Sequence, residues 1–213
     1  MECSIIVLSF ERPNHLKTTL ESIKKFLLGP KFYRELILID NNSKDCDVDN
    51  ILEEYALEGH IVIKNEKNLL FSAGMNMGVK AAKGEYVILC NDDLEFTSDI
   101  LTPMLSFMKD NPGIGTLTPV TLRRNNMVYC SGAFGAGTHR TDIINKPRAT
   151  EWNNMAIFLT RREYFKKIGP LRDDGRFEHY SSDEEWCRRM TKMLPTLIHV
   201  VHPVQAYHYY KDG

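Results

Sequence analysis

The first half of the chain alternates short apolar runs with segments that have one apolar face. Ser4–Phe10, Leu36–Ile39, His60–Ile63 and Tyr86–Cys90 are short runs rich in strand-forming residues. Between them, apolar residues recur at the spacing of a helix, as in the segment that begins at Pro13. Alternating strands and helices predict an α/β fold with a mainly parallel central sheet and helices on both faces.

The second half follows a different pattern. Ile114–Val120 and Met127–Tyr129 predict strands of mixed direction. Residues 131–150 are polar and glycine-rich without periodicity, which is typical of a functional or flexible loop. Leu197–Val201 and Ala206–Tyr210 predict two closing strands. We therefore expect a mixed sheet in this half.

Length and composition narrow the functional classes. The chain has 213 residues and a net charge of -1, so one domain over 1–213 is expected and no nucleic-acid partner is indicated. No apolar run approaches the roughly 18 residues of a membrane span. Five scattered cysteines without metal-binding spacing favour reduced thiols and a cytoplasmic location. The chain stops at Lys211-Asp212-Gly213 without an obvious cap, so it is expected to be part of a longer multidomain protein.

Three of the first four predicted strands end in short polar segments. In parallel sheets covered on both faces, ligands bind beyond the carboxyl ends of the strands. The segments are therefore expected to form one ligand site. They are Ser9–Glu11, Asp40–Asn42 and Asn91–Asp93.

Asp92 and Asp93 are adjacent carboxylates directly after the fourth strand. Neighbouring carboxylates repel each other unless positive charge lies beside them, and a hard divalent cation is the usual partner of oxygen ligands. Such an ion suits a reaction in which a departing diphosphate gathers negative charge. The alternative is a polar turn that caps the next helix, and the motif alone favours neither.

Three further polar residues have two interpretations each. Asp40 could accept a hydrogen bond from a nucleotide, although Asp-Asn-Asn-Ser also suits an Asx turn. Ser182 begins a Ser-x-x-Glu capping box, and Asp183 beside it could take a proton from a hydroxyl. His208 could bind a metal, although a partly buried strand histidine is the favoured interpretation without other information.

Taken in order, these motifs resemble GT-A-fold, family-2-like glycosyltransferases along nearly the whole chain. The resemblance implies a nucleotide-binding half over 1–112 and an acceptor-binding, catalytic half over 113–213. The matching blocks are Cys3–Pro13, Glu35–Ser43, Asn65–Gly78, Lys83–Asp93, Phe158–Glu163, Ile168–Gly169, Asp183–Cys187 and His208.

The resemblance implies transfer of a hexose or deoxyhexose from a nucleoside diphosphate sugar, with UDP expected, to a carbohydrate hydroxyl. Mn²⁺ or Mg²⁺ is the implied cofactor. Asp93 and His208 are the implied metal ligands, and Asp183 is the implied catalytic base. The implied nucleotide-sugar contacts are Ser9, Phe10, Glu11, Asp40, Asn68, Asn91 and Asp92.

Two departures from the family pattern keep alternatives open. Asn91 replaces the first acid of the D-x-D motif, and Ser182 replaces one acid of an acidic pair. Asp183 is then the remaining candidate base, and the course can be inverting or retaining. A sugar-1-phosphate nucleotidyltransferase is a second hypothesis, although no glycine-rich loop follows the first strand. An inactive module that binds sugar nucleotides or glycans is a third.

Overall fold

Twelve strands form in the residues that the computed structural model describes, which are 1–29, 33–178 and 181–209. Ten of them belong to one sheet, and two form a separate hairpin. In chain order they are β1 (Cys3–Ser9), β2 (Arg34–Asp40), β3 (Ile61–Lys64), β4 (Tyr86–Asn91), β5 (Leu94–Glu95), β6 (Ile114–Leu122), β7 (Val128–Cys130), β8 (Ala133–Phe134), β9 (Thr138–His139), β10 (Arg148–Thr150), β11 (Ile157–Arg161) and β12 (Ile198–His208).

Six α-helices form in the same ranges, and the first begins at Pro13, as the sequence pattern predicted. The first continues as a π-helical turn over Ile23–Leu27, and a 3₁₀ turn covers Gly175–Phe177. The α-helices are α1 (Pro13–Ser22), α2 (Cys46–Leu57), α3 (Leu70–Ala81), α4 (Leu101–Asp110), α5 (Glu163–Ile168) and α6 (Ser182–Met193).

The sheet order explains how distant parts of the sequence meet. Strands β4, β1, β2 and β3 are parallel neighbours in that order. Strand β11 then runs antiparallel to β4 and to β6, and β12 lies parallel to β6. The parallel first half and the mixed second half were both predicted correctly.

Alternate residues of the central strands enter two different cores. Ile5 and Val7 of β1 are buried with side chains of α1, α2 and α4. Ile6 between them is buried on the opposite face with side chains of α3, α5 and α6. Because both faces are covered, the strands are apolar throughout, as the sequence pattern indicated.

Helix α3 packs unusually close to the sheet. A Cβ placed on Gly78 would lie 2.4 Å from Ile6 Cγ2 and 2.7 Å from Ile39 Cδ1. The glycine therefore lets the helix approach β1 and β2 directly. Gly74, one turn earlier, faces Leu8 of β1 in the same way, and the N-terminus of α3 lies at the cavity beyond the carboxyl ends of those strands.

Three local predictions were wrong. Residues 131–150 contain the β8–β9 hairpin and β10, which pairs with β12. The two predicted closing strands form one strand, β12, with an irregularity between His202 and Gln205 where Pro203 cannot donate a backbone hydrogen bond. Tyr210, the predicted end, lies outside the described residues. Ser182 is not the helix cap, because Ser181 occupies that position with a φ of 60°.

The five cysteines are all free thiols. Among the described residues, no helix combines the length and the apolar character needed to cross a membrane.

Candidate functional site

A cavity of about 450 Å³ lies beyond the carboxyl ends of β1, β2 and β4. It also receives the end of β12 and the start of α6, so both halves of the chain contribute to it. The predicted site residues that line it are Ser9, Phe10, Asn68, Asn91, Asp92, Asp93, Asp183 and His208.

Two predicted nucleotide contacts, Asp40 and Glu11, are not among the residues that line the cavity. Asp40 Oδ1 accepts a hydrogen bond from Ser43 N at 3.0 Å, which is the Asx turn that the sequence also suggested. Glu11 accepts from Lys44 N at 2.8 Å and has a φ of 58°. Both carboxylates therefore stabilise the turn after β2, and their contact with a nucleotide stays a prediction.

Asn41 lines the cavity where Asp40 was expected. Its Nδ2 donates to Asn68 Oδ1 at 2.7 Å and to Leu70 O at 3.1 Å. Its Oδ1 accepts from Asn65 Nδ2 at 3.1 Å and from Leu69 N at 3.0 Å. The side chain uses its whole hydrogen-bonding capacity to fix the turn before α3. This turn brings Asn68 to the cavity.

Arg12 places a positive charge beside both carboxylates after β4. Its Nη2 lies 2.5 Å from Asp92 Oδ1, and its Nη1 lies 3.0 Å from Asp93 Oδ2. The remaining oxygen of Asp92 accepts from Phe10 N at 3.2 Å. The sequence predicted that positive charge must lie beside these carboxylates, but it did not identify Arg12 as its source.

His208 lies on the other side of Asp93. The distance from His208 Nε2 to Asp93 Oδ1 is 3.3 Å, and Asn91 Nδ2 lies 3.5 Å from the same nitrogen. The histidine reaches this position because β12 pairs with β5, the short strand directly after Asp93. Tyr209 N also donates to Asp93 O at 2.8 Å, which fixes the two segments together.

The two neighbouring carboxyls have different acidities. Burial raises the pKa of Asp92 to about 6, although Arg12 acts to lower it. Burial also acts to raise the pKa of Asp93, but the contact with His208 and the charge of Arg12 outweigh it and lower that pKa to about 2. Of the two carboxyls, Asp93 therefore stays ionised to the lower pH, and it is the better candidate to bind a cation.

Asp93 and His208 fit a divalent metal ion. Asp93 Oδ1 is buried and makes no well-formed hydrogen bond. An Mg²⁺-type ion is usually held by one or two carboxylates together with substrate phosphates, so two protein ligands suffice. Within the described ranges, the one group of three potential ligands in mutual contact is Asp45, Cys46 and Asp47. That group is the cap of α2, because Asp45 Oδ1 accepts from Asp47 N at 2.9 Å.

Asp183 enters the cavity at the N-terminus of α6. Its Oδ1 accepts from Glu184 N at 2.8 Å, and the backbone N–H of Met155 also contributes a hydrogen bond. Burial raises the pKa of Asp183 above its ordinary value. A carboxylate that is oriented in this way, with increased basicity, can accept a proton from a bound hydroxyl.

Several residues of the cavity were missed by sequence reasoning. Tyr129 lines it, with its ring packed edge-on against His208 at 5.2 Å between centroids. Leu70 and Ser181 also line it, and both have a φ of 60°, which is costly for residues other than glycine. No composition or spacing signal marks a positive φ at a leucine or a serine.

Ser9 places its Oγ at the edge of the cavity, where the hydroxyl is buried and makes no well-formed hydrogen bond within the described residues. Its hydroxyl still acts on Asp92 as a hydrogen-bond donor and helps to lower the pKa of that carboxyl. A hydroxyl also has acceptor capacity, which a bound molecule can use.

Comparisons with known proteins identify the family of the chain. The sequence model described as Glycosyl transferase family 2 matches residues 4–169. The chain is 26% identical over 203 residues to the O-antigen biosynthesis protein RfbC of Myxococcus xanthus, covering 88% of this chain and 16% of that protein. It is 29% identical over 172 residues to an uncharacterized glycosyltransferase of Haemophilus influenzae, covering 79% and 55% respectively. The chain thus spans at most about half of these relatives.

Solved structures show the same fold. A structure of GalNAc-T7 with UDP, GalNAc and Mn²⁺ superposes with a TM-score of 0.75 at 18% identity, covering 99% of this chain and 44% of that one. Staphylococcus aureus TarS superposes with a TM-score of 0.73 at 17% identity, covering 98% and 37%. These similarities confirm the α/β GT-A fold that the sequence predicted.

Proposed function

Because the chain belongs to glycosyl transferase family 2, we propose that it transfers a hexose or deoxyhexose from a UDP-sugar to a glycan hydroxyl. The observation that carries the proposal is the meeting of Asp93, His208 and Asp183 in one cavity of about 450 Å³. A metal-ligand pair and a candidate base are then available to the same bound donor. The buried Oγ of Ser9, at the cavity edge beside Asp92, supports nucleotide binding at the β1 side.

The donor would bind with its diphosphate towards Asp93 and its nucleoside along Ser9, Phe10 and Asn68. An Mn²⁺ or Mg²⁺ ion held by Asp93 and His208 would supply positive charge to the departing diphosphate. Asn91 and Asp92 would lie beside the donor sugar. Residues 1–112 would form the donor-binding half of a single domain, and residues 113–213 the acceptor-binding half.

Asp183 would act on the acceptor. In an inverting course, its carboxylate takes the hydroxyl proton while the acceptor oxygen bonds to the anomeric carbon and the bond to the diphosphate breaks. In a retaining course, Asp183 orients the acceptor. The raised pKa of Asp183, which results from its burial, supports the role of base. The anomeric configuration of the product distinguishes the two courses.

A screen of nucleotide sugars for Mn²⁺-dependent release of UDP tests the function. A neighbour of the same fold was crystallised with UDP, GalNAc and Mn²⁺, so UDP-sugars with Mn²⁺ are the first mixtures to test. We expect release of UDP from at least one donor, loss of release with EDTA, and loss in Asp93→Asn. Release of pyrophosphate from a sugar 1-phosphate and UTP would instead identify a nucleotidyltransferase. No turnover with any donor, despite binding, would identify a binding module.

We also propose the chemical class of the acceptor. The M. xanthus relative is an O-antigen biosynthesis protein, which supports a surface polysaccharide acceptor. Its much greater length supports a larger multidomain context, since this chain covers 16% of it. The five free thiols support action in a reducing compartment such as the cytoplasm.

A further inference from the structure

The salt bridges of Arg12 join a half-exposed cation to two buried anions. The side chains of Asp92 and Asp93 are 2% and 3% exposed, whereas that of Arg12 is 44% exposed. Buried carboxylates require a positive partner, because an unpaired buried charge is strongly unfavourable. Arg12 provides that charge from within the chain when no other cation is present.

The two carboxylates are held more firmly than the guanidinium. The backbone of the acidic segment is fixed by Thr19 Oγ1, which donates to Asp92 O at 2.9 Å and to Leu94 O at 2.8 Å. Tyr209 N donates to Asp93 O. Arg12 instead precedes α1 at its N-cap position and makes no side-chain cap there. The arginine is therefore the partner that can leave the contact.

The fork of a guanidinium binds carboxylates and phosphates with similar geometry. A diphosphate bound beside Asp93 would offer Arg12 new oxygen partners close to those it has. An incoming divalent cation would meet Arg12 at the same carboxylate, since Nη1 already contacts Asp93 Oδ2. Two positive charges cannot occupy that place together without repulsion.

We propose that Arg12 is an internal counter-ion that competes with the metal for Asp93, and that it moves to the diphosphate when the donor nucleotide binds. The inference rests on the proposed function, since it requires a metal and a nucleoside diphosphate at this cavity. Metal and nucleotide then strengthen each other's binding, because each removes an obstacle to the other. Such coupling is reciprocal and is commonly worth about 5- to 150-fold in affinity.

Direct titration of Mn²⁺, followed by the electron paramagnetic resonance of the free ion, tests the proposal without any turnover. Wild type, Arg12→Gln and Arg12→Met are each titrated with and without UDP. We expect UDP to strengthen Mn²⁺ binding by wild type about tenfold or more. Without UDP, both Arg12 variants should bind Mn²⁺ more tightly than wild type by a similar factor. In both variants, UDP should strengthen Mn²⁺ binding less than it does in wild type, because only the direct contact between metal and diphosphate then remains.

The control variant is Lys167→Gln, which removes one positive charge from an exposed pair with Glu163 on α5. It should leave Mn²⁺ affinity unchanged. The loss of one positive charge from the protein is then excluded as the cause of tighter Mn²⁺ binding in the Arg12 variants. Circular dichroism of each variant verifies the fold. If Arg12→Gln unfolds, Arg12→Met is the second variant, because methionine keeps the apolar part of the arginine side chain.

Equal or weaker Mn²⁺ binding by the Arg12 variants without UDP overturns the proposal. If that result is obtained while wild type binds Mn²⁺ through Asp93 and releases UDP from a UDP-sugar, the proposed function stands and the role of Arg12 alone is rejected. If Mn²⁺ binds neither wild type nor the Arg12 variants, with or without UDP, both the role of Arg12 and the proposed use of metal are rejected.

Discussion

Asp93 Oδ1 lies 3.3 Å from His208 Nε2, although Asp93 belongs to the first half of the chain and His208 lies near its end. The contact depends on β5, the two-residue strand after the acidic motif that pairs with the end of β12. The final strand therefore completes the site formed by the first half. A change that separates β12 from β5 would remove one of the two proposed metal ligands without altering the acidic motif.

Substitution of Asp93 should weaken the binding of the metal ion, if Asp93 and His208 are its ligands. Asp93→Asn should weaken Mn²⁺ binding by more than about tenfold, because even outer-shell partners of a metal ligand contribute that much. Isothermal titration of Mn²⁺ in the presence of UDP measures the effect. Asp49→Asn is the matched control, since Asp49 is an exposed carboxylate paired with Lys64. Equal affinity in wild type and Asp93→Asn would exclude Asp93 as a ligand.

Substitution of Asp183 should change the rate of sugar transfer without changing the affinity for the donor. Asp183→Asn should retain donor affinity and reduce the transfer rate by ~10²–10⁴, the usual contribution of a general base. In wild type, the rate should fall as the pH falls through the pKa of Asp183, because the protonated acid cannot accept a proton. Burial raises that pKa, so the fall should begin above the range of an ordinary aspartate. Steady-state rates at saturating donor across pH measure both effects; a variant with full activity contradicts the assignment.

The sequence predicted the strand ends of the site because a doubly covered sheet leaves a clear apolar pattern. The resemblance named Asp40 and not Asn41, because an apolar strand that is buried on both faces does not show which way the polar residues at its end point. The sequence also missed Arg12, because the contact with Asp92 depends on the path of the loop between β1 and α1. That path includes Glu11 with a φ of 58°.

Burial of His199 should make the free energy of unfolding depend on pH in the mildly acidic range. Its ring is buried, with Nε2 3.1 Å from Cys187 O and Nδ1 2.8 Å from Thr116 Oγ1. Burial lowers its pKa from 6.5 to about 4, so the unfolded chain takes up the proton first as the pH falls. The free energy of unfolding should therefore be greatest above pH 6.5 and decrease towards pH 4, by on the order of 3 kcal/mol from this residue.

Urea unfolding of wild type and His199→Asn between pH 4 and 8 measures that contribution. Wild type should be the more stable protein at pH 8, and the difference between the two should narrow as the pH falls. A difference that stays constant over this range would mean that His199 has the same pKa in the folded and unfolded chains.

Asp40 and Asn41 provide a matched pair of isosteric substitutions that tests which residue supports the donor. Asp40→Asn keeps an oxygen that can accept from Ser43 N, so the turn after β2 should persist. Asn41→Asp loses the amide that donates to Asn68 Oδ1 and Leu70 O, and it places a carboxylate against two acceptors. Unpaired buried acceptors are costly, so the turn that carries Asn68 should be displaced. We expect Asn41→Asp to raise the KM for the UDP-sugar by about tenfold or more, corresponding to ~1.4 kcal/mol, and Asp40→Asn to change it little. Initial rates over a range of donor concentrations measure both values. The reverse order would return Asp40 to the nucleotide-binding role that the sequence suggested.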